Sequence, residues 1–103
     1  MPTNDIVSPW IPMTDPVDCK VLGKLMEESG ELCSAAARCF IQGIDEAEPI
    51  TGKVNREWLQ DELADVQASI EVTIERFALD AATIAERKER KKALLRQWHK
   101  MGS

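Results

Sequence analysis

An all-α fold is predicted by three features of the sequence. Helix formers (Ala, Leu, Glu, Lys, Arg) dominate, aromatic residues are only 5% of the 103 with tyrosine absent, and long stretches of helical periodicity are separated by loops holding proline and glycine. Such a composition disfavours a β-sandwich or barrel, and the length leaves room for one small domain only. Residues 1 to 14 carry three prolines around an isolated Trp10 and predict an extended arm. Residues 15 to 103 form the single helical domain. Asp15-Pro16 reads as an N-cap followed by proline in the first turn, and Gly43 as the stop, which places helix one at about 16 to 42. A loop with Pro49 and Gly52 leads to Asn55 as the cap of helix two, about 56 to 78, and Asp80 caps a third helix reaching about Lys100.

The helices predict a thin bundle. On helix one, Leu22, Leu25, Met26, Leu32, Cys33, Ala36 and Phe40 fall on one side of a wheel turning ~100° per residue, which marks them as the core face. So small a bundle buries little by itself, so oligomerisation is expected. No apolar run approaches the ~18 residues of a membrane span and no signal-like segment opens the chain, so neither membrane insertion nor secretion is expected. The three cysteines, Cys19, Cys33 and Cys39, show no zinc-like spacing and read as reduced thiols of a cytoplasmic protein.

Charge is divided along the chain. Residues 1 to 80 carry 6 Lys/Arg against 16 Asp/Glu, whereas residues 81 to 103 carry 7 against 2, and the whole has a net charge of −5. An acidic body argues against binding a nucleic-acid polymer, which requires many phosphates to be neutralised. A small, highly charged ligand remains compatible with it.

Helix one contains Glu27-Glu28-Ser29-Gly30-Glu31 and helix two Asp61-Glu62-Leu63-Ala64-Asp65. Glu28 with Glu31, and Glu62 with Asp65, are spaced i, i+3 and so are neighbours on their helix surfaces. A solvated charged face is the ordinary explanation of one such pair. Glu62, however, lies inside the apolar arc of helix two, about 60° from Leu59 and bracketed by Val66 and Trp58. A carboxylate there needs a cation or a donor. Four facing carboxylates suit a hard cation, Mg²⁺ with Mn²⁺ as a substitute. Helix three shows the opposite anomaly, with Arg87, Lys88 and Lys91 at core-like positions beside Ile84, Leu95 and Trp98. Either their stems pass over apolar surface and pair with the glutamates, or they hold a polyphosphate together with the metal.

The ordered set KLMEESGEL, DELADV and IAERKERKK resembles the MazG-like members of the all-α nucleoside triphosphate pyrophosphohydrolases over about residues 16 to 98, a family with compact phage and bacterial members. The resemblance implies a helical bundle completed by oligomerisation as a homodimer or homotetramer, with Glu28, Glu31, Glu62 and Asp65 as Mg²⁺ ligands and Glu27 as an outer-shell or base residue. It also implies phosphate contacts from the last helix. Family members often carry Lys-x-x-x-Asn there, whereas this chain offers Arg87, Lys88 and Lys91 with no Asn. The expected reaction is cleavage of a (d)NTP to the monophosphate and pyrophosphate, in the cytoplasm, or in the host's cytoplasm for a phage-encoded chain. By analogy the substrate is a deoxynucleotide such as dGTP. Trp58 and Trp10, with Trp98 behind them, are the candidates for stacking on the base. His99 is expected to be a surface residue. Two alternatives stay open: cleavage of phosphoribosyl-ATP by the same chemistry, and a non-enzymatic helical dimerisation module with a basic partner-binding helix.

Overall fold

The computed structural model describes residues 9–101. The first eight residues of the expected arm lie outside that range, and residues 9–15 have no regular structure. Three helices follow: α1 (Pro16–Gln42), α2 (Asn55–Arg76) and α3 (Ala81–Trp98). No strand is present among the described residues, so the chain is all-α.

Local chemistry explains the boundaries. The Asp15 carboxylate accepts from the Val17 and Asp18 N–H groups at 2.9 and 3.0 Å, and Pro16 has no N–H to leave unpaired. At the other end Gly43 takes φ 106°, and a side chain there would also press on the Glu46 Cγ at 3.3 Å. The loop returns through an antiparallel bridge between Ala47 and Val54. Glu48 gathers the Ile50 and Thr51 N–H groups and the Thr51 hydroxyl, and Arg56 holds Asp45 with two bonds of 2.8 and 3.1 Å.

Asn55 differs from its expected role. Val54 is the N-cap, its N–H bonded to the Glu57 carboxylate at 3.3 Å, while Asn55 is the first residue of α2 and fully buried. Its amide donates to the Gln42 Oε1 at 3.2 Å and the Gly43 carbonyl at 3.0 Å, so it ties the end of α1 to the start of α2. α2 stops at Arg76, two residues short of expectation, because Ala78 turns into the left-handed region at φ 49°. Asp80 caps α3 as expected, accepting from the Thr83 N–H and hydroxyl.

α1 and α2 form an antiparallel hairpin, whereas α3 packs along neither of them. The contact positions on α1 are Val21, Leu25, Glu28, Leu32, Ala35 and Cys39, and on α2 Asn55, Leu59, Glu62, Val66, Ser69 and Thr73, all buried or half-buried. Both sets alternate steps of four and three, the spacing of a coiled-coil seam. The seam is rotated from the expected core face: Met26, Cys33, Ala36 and Phe40 point outward, with Phe40 91% exposed. Arg76 closes the open end of the hairpin on Asp18 at 2.6 Å and Asp15 at 3.1 Å. The expected three-helix bundle is thus a hairpin and a projecting helix within one chain. Cations at Arg87, Lys88 and Lys91 interrupt the apolar stripe of α3 between Ile84 and Leu95, which removes the surface that would pack inward.

Asn55→Ala is expected to lower stability by about 2 kcal/mol, since it removes both side-chain bonds between the end of α1 and the start of α2 and leaves a void behind. Urea unfolding followed by circular dichroism checks this, and helix content before the transition should not change.

Candidate metal centre on the hairpin

Antiparallel pairing sets the middle of α1 against the middle of α2, so the two carboxylate motifs meet. Oxygens of Glu28, Glu62 and Asp65 lie within 4.8 Å of one another, as do oxygens of Glu27, Glu28 and Glu31, with Glu28 common to both groups. Glu28 occupies a seam position and is 7% exposed. Its Oε1 accepts from Lys24 at 3.2 Å, while its Oε2 is shut off from solvent with no partner. The Oε2 of half-buried Glu62 is in the same condition. Two orphaned carboxylate oxygens facing one another across a seam are costly in a folded protein. They fit a hard divalent cation, which takes carboxylate oxygens and would balance their charge.

Electrostatics agree with the crowding. Burial raises the Glu62 carboxyl above its ordinary pKa, and the neighbouring charges of Glu31, Asp65, Glu28 and Asp61 push it further in the same direction. Among the described residues Lys24 supplies the one direct counter-charge to these glutamates, bonding Glu27 at 2.6 Å as well as Glu28, and these bonds hold its pKa well above the usual lysine value. The K-x-x-E-E spacing that delivers Lys24 to both glutamates was visible as an i, i+3 and i, i+4 pattern.

Beside the carboxylates runs an open cleft of about 510 Å³ along one side of the hairpin, lined by Val17, Val21, Ala68, Ser69 and Val72 with Lys20 among them, and bordered by Lys24, Glu28 and Asp65. It joins an apolar trough to the acidic cluster. At the other end of the cluster Trp58 is half-buried, with the Lys53 Nζ 4.2 Å and the Arg38 guanidinium 5.2 Å from its ring centre. The three expected phosphate contacts are elsewhere. Arg87 and Lys91 line a small depression on α3 itself, and among the described residues no ion pair joins Arg87, Lys88 or Lys91 to the cluster. Trp10 is 83% exposed on the arm, and Trp98 is exposed on α3 with the Lys91 Nζ 5.1 Å from its ring. His99 is an exposed residue at the end of α3, and no disulfide joins the cysteines. No described helix is long and apolar enough to cross a membrane.

No family model, curated protein or solved structure matches the chain.

Glu62 yields a prediction that needs no ligand. Its folded pKa is raised, so the stability linked to its proton is fully present below the unfolded value of about 4.3 and is lost as pH rises through the folded value. Glu62→Gln cannot ionise. In EDTA at neutral pH the variant is therefore expected to be more stable than wild type, with the difference closing toward pH 4. Urea melts across that range check it, and a difference independent of pH would contradict the crowding.

Proposed function

We propose that the chain is a nucleoside triphosphate pyrophosphohydrolase that uses Mg²⁺, or Mn²⁺ in its place, and releases a (d)NMP and pyrophosphate. One observation carries the reading: Glu28 of the α1 E-x-x-E pair converges with the E-x-x-D pair of α2, the Glu28 and Glu62 Oε2 atoms buried and unpartnered, while Glu31 stands in the adjoining group with Glu27 and Glu28. The likeness of these motifs to the MazG-like pyrophosphohydrolases supports it. Glu28, Glu31, Glu62 and Asp65 would hold the metal, which when bound supplies charge neutralisation for the phosphates and acidifies water.

The chain's own residues have separable tasks in this reading. Glu27, bonded to Lys24 and exposed, stands outside the Glu28–Glu62–Asp65 group as Glu31 does; with Glu31 given to the metal, Glu27 is the carboxylate assigned to orient water and accept its proton. Lys24 holds Glu27 and Glu28 in place and limits their repulsion before substrate arrives. The apolar trough of Val17, Val21 and Val72 takes the nucleoside, excluding water from the side of the cluster where the α-phosphorus would lie. Among the described residues no Ser/His/Asp or Cys/His set stands at the cluster, so in this reading the attacking group is water.

Assembly belongs to the same proposal. The chain exposes 8217 Å², against about 5,800 Å² for a compact monomer of its mass. Its radius of gyration is 19.1 Å, against about 13 Å for a compact chain of this length. The excess surface matches what an obligate homodimer covers. On the side of the hairpin away from the cleft, Leu63, Ile70 and Phe40 stand exposed beside Leu22 and Phe77, a face suited to a second copy. In such a dimer α3 of one chain can lie beside the carboxylates of the other and bring Arg87, Lys88 and Lys91 to the phosphates.

Product analysis with a panel of (d)NTPs and phosphoribosyl-ATP tests the activity. Pyrophosphate release is expected, and Glu62→Gln or Asp65→Asn should abolish it while the fold persists. Near-wild-type rates in either variant would refute the site. Divalent cations are expected to raise the melting temperature, by a linkage of about 2.7 kcal/mol at a hundredfold excess over Kd. Melting indifferent to EDTA and to millimolar Mg²⁺ or Mn²⁺ would count against a cation. Sedimentation should show a dimer or tetramer at micromolar concentration, and an 11.5 kDa monomer alone would remove the assembly. The projecting basic α3 favours one other reading, a helical module that binds an acidic partner. Salt-sensitive DNA binding without hydrolysis would select it.

A further inference from the structure

Arg38 is the odd charge of the hairpin. It sits half-buried on α1, its Nε is shut off from solvent without a hydrogen-bond partner, and no carboxylate of the described residues lies within ion-pair distance of it. Its guanidinium instead faces the Trp58 ring, whose own Nε1 is a second buried donor without an acceptor. Lys53 comes from the loop to the same ring and is held there by Asp61 at 2.5 Å. Glu48 acts on Arg38 only through space, because its carboxylate is committed to the Ile50 and Thr51 donors. Two cations and two orphaned donors thus gather on one indole within a hairpin that is otherwise acidic. Buried donors left unpaired are a cost that an anionic acceptor relieves.

Position identifies the anion. Trp58 precedes Glu62 by one turn of α2, about 6 Å of helix rise. Arg38, Trp58, Glu31 and Asp65 also share the side of the hairpin that carries the cleft, by their places on the two wheels. The order along that side is apolar trough, carboxylates, then cations on Trp58. A ligand matching it has an uncharged head, a centre that meets a metal and an anionic tail.

We propose that Arg38, Lys53 and Trp58 form an anion subsite that takes the terminal, pyrophosphate-leaving end of the substrate. The subsite rests on the pyrophosphohydrolase reading for its place in the reaction, but its chemistry can be tested without it. It assigns Trp58 a part different from base stacking: its ring is already occupied by cations and serves to hold them. Arg38 offers the fork of its guanidinium and Lys53 a point charge, a pairing suited to two linked phosphates. The subsite also gives the substrate a direction, with the nucleoside toward Val17 and Val72 and the leaving group toward the loop.

The test is titration of inorganic pyrophosphate into the full chain in EDTA at low salt, followed by calorimetry. Wild type is expected to bind one pyrophosphate per chain. Arg38→Gln and Lys53→Met should each weaken binding roughly tenfold or more, with Arg38→Lys in between because it keeps the charge and loses the fork. Thermal melts establish that each variant is folded, and should Arg38→Gln fail, Lys53→Met in the loop decides. Unchanged affinity in both variants, no binding to wild type at millimolar pyrophosphate, or loss in an Arg87→Gln/Lys91→Gln variant alone would overturn the subsite. Nucleotide hydrolysis with pyrophosphate binding insensitive to Arg38 and Lys53 removes the subsite and leaves the enzyme. Binding that depends on both residues, in a chain that hydrolyses nothing, leaves the anion site and removes the enzyme.

Discussion

A buried glutamate in the middle of a helix seam is the constraint on which the rest of the structure depends. Glu28 occupies a position in the four-three repeat of α1 where its neighbours are Leu25, Leu32 and Ala35, and the facing position of α2 is again a glutamate, Glu62. Two apolar residues there would pack well and stabilise the hairpin. Instead the seam carries crowded negative charge that Lys24 only partly offsets. Ends that hold firmly are then required. Asn55 and the Arg56–Asp45 pair close one end of the hairpin, and Arg76 on Asp18 and Asp15 closes the other.

Much of this was legible in the sequence, for reasons specific to each residue. Asp15-Pro16, Gly43 and Asp80 act within a few residues of themselves, so the helix boundaries they set need no knowledge of the fold. Glu62 was legible because a charge inside an apolar arc is an anomaly on its own helix. The convergence of α1 and α2 then follows from a short loop and antiparallel packing. The core face of α1 was less legible: an arc drawn through all large apolar residues includes Met26 and Phe40, which serve an outward face, and so shifts the wheel away from Glu28 and Ala35. A helix with two apolar uses cannot be assigned one face by periodicity.

Other features depend on separations that no local pattern records. Asn55 looks like a cap because asparagine before a helix usually is one, yet its amide is drawn across the loop to Gln42 and Gly43. Arg38, Lys53 and Trp58 come from a helix, a loop and another helix, and none belongs to a motif. Their only sequence signal is weak: Trp58 stands one turn from Glu62, and Arg38 lies two turns beyond Glu31 along the same helix. The placement of α3 was illegible for a physical reason as well. Its cations sit where a packed helix carries apolar residues, so its sequence does not specify a berth on its own hairpin.

The two long sides of the hairpin make opposite demands, and their combination ties assembly to chemistry. One side gathers carboxylates, a lysine and a cation-bearing indole around a cleft, all groups that solvent or a charged ligand satisfies. The other presents Leu22, Leu63, Ile70 and Phe40, which water does not satisfy. The ties at the two ends of the hairpin act far from its centre, where like charges oppose the close offset of α1 against α2 that metal ligation would require. Covering the apolar side clamps both helices to a common surface without touching the cleft, so the offset is set from behind the site. Were the proposed cation and second chain both to bind, they would act on the same degree of freedom, the separation of Glu28 from Glu62, and each would make the other's binding more favourable.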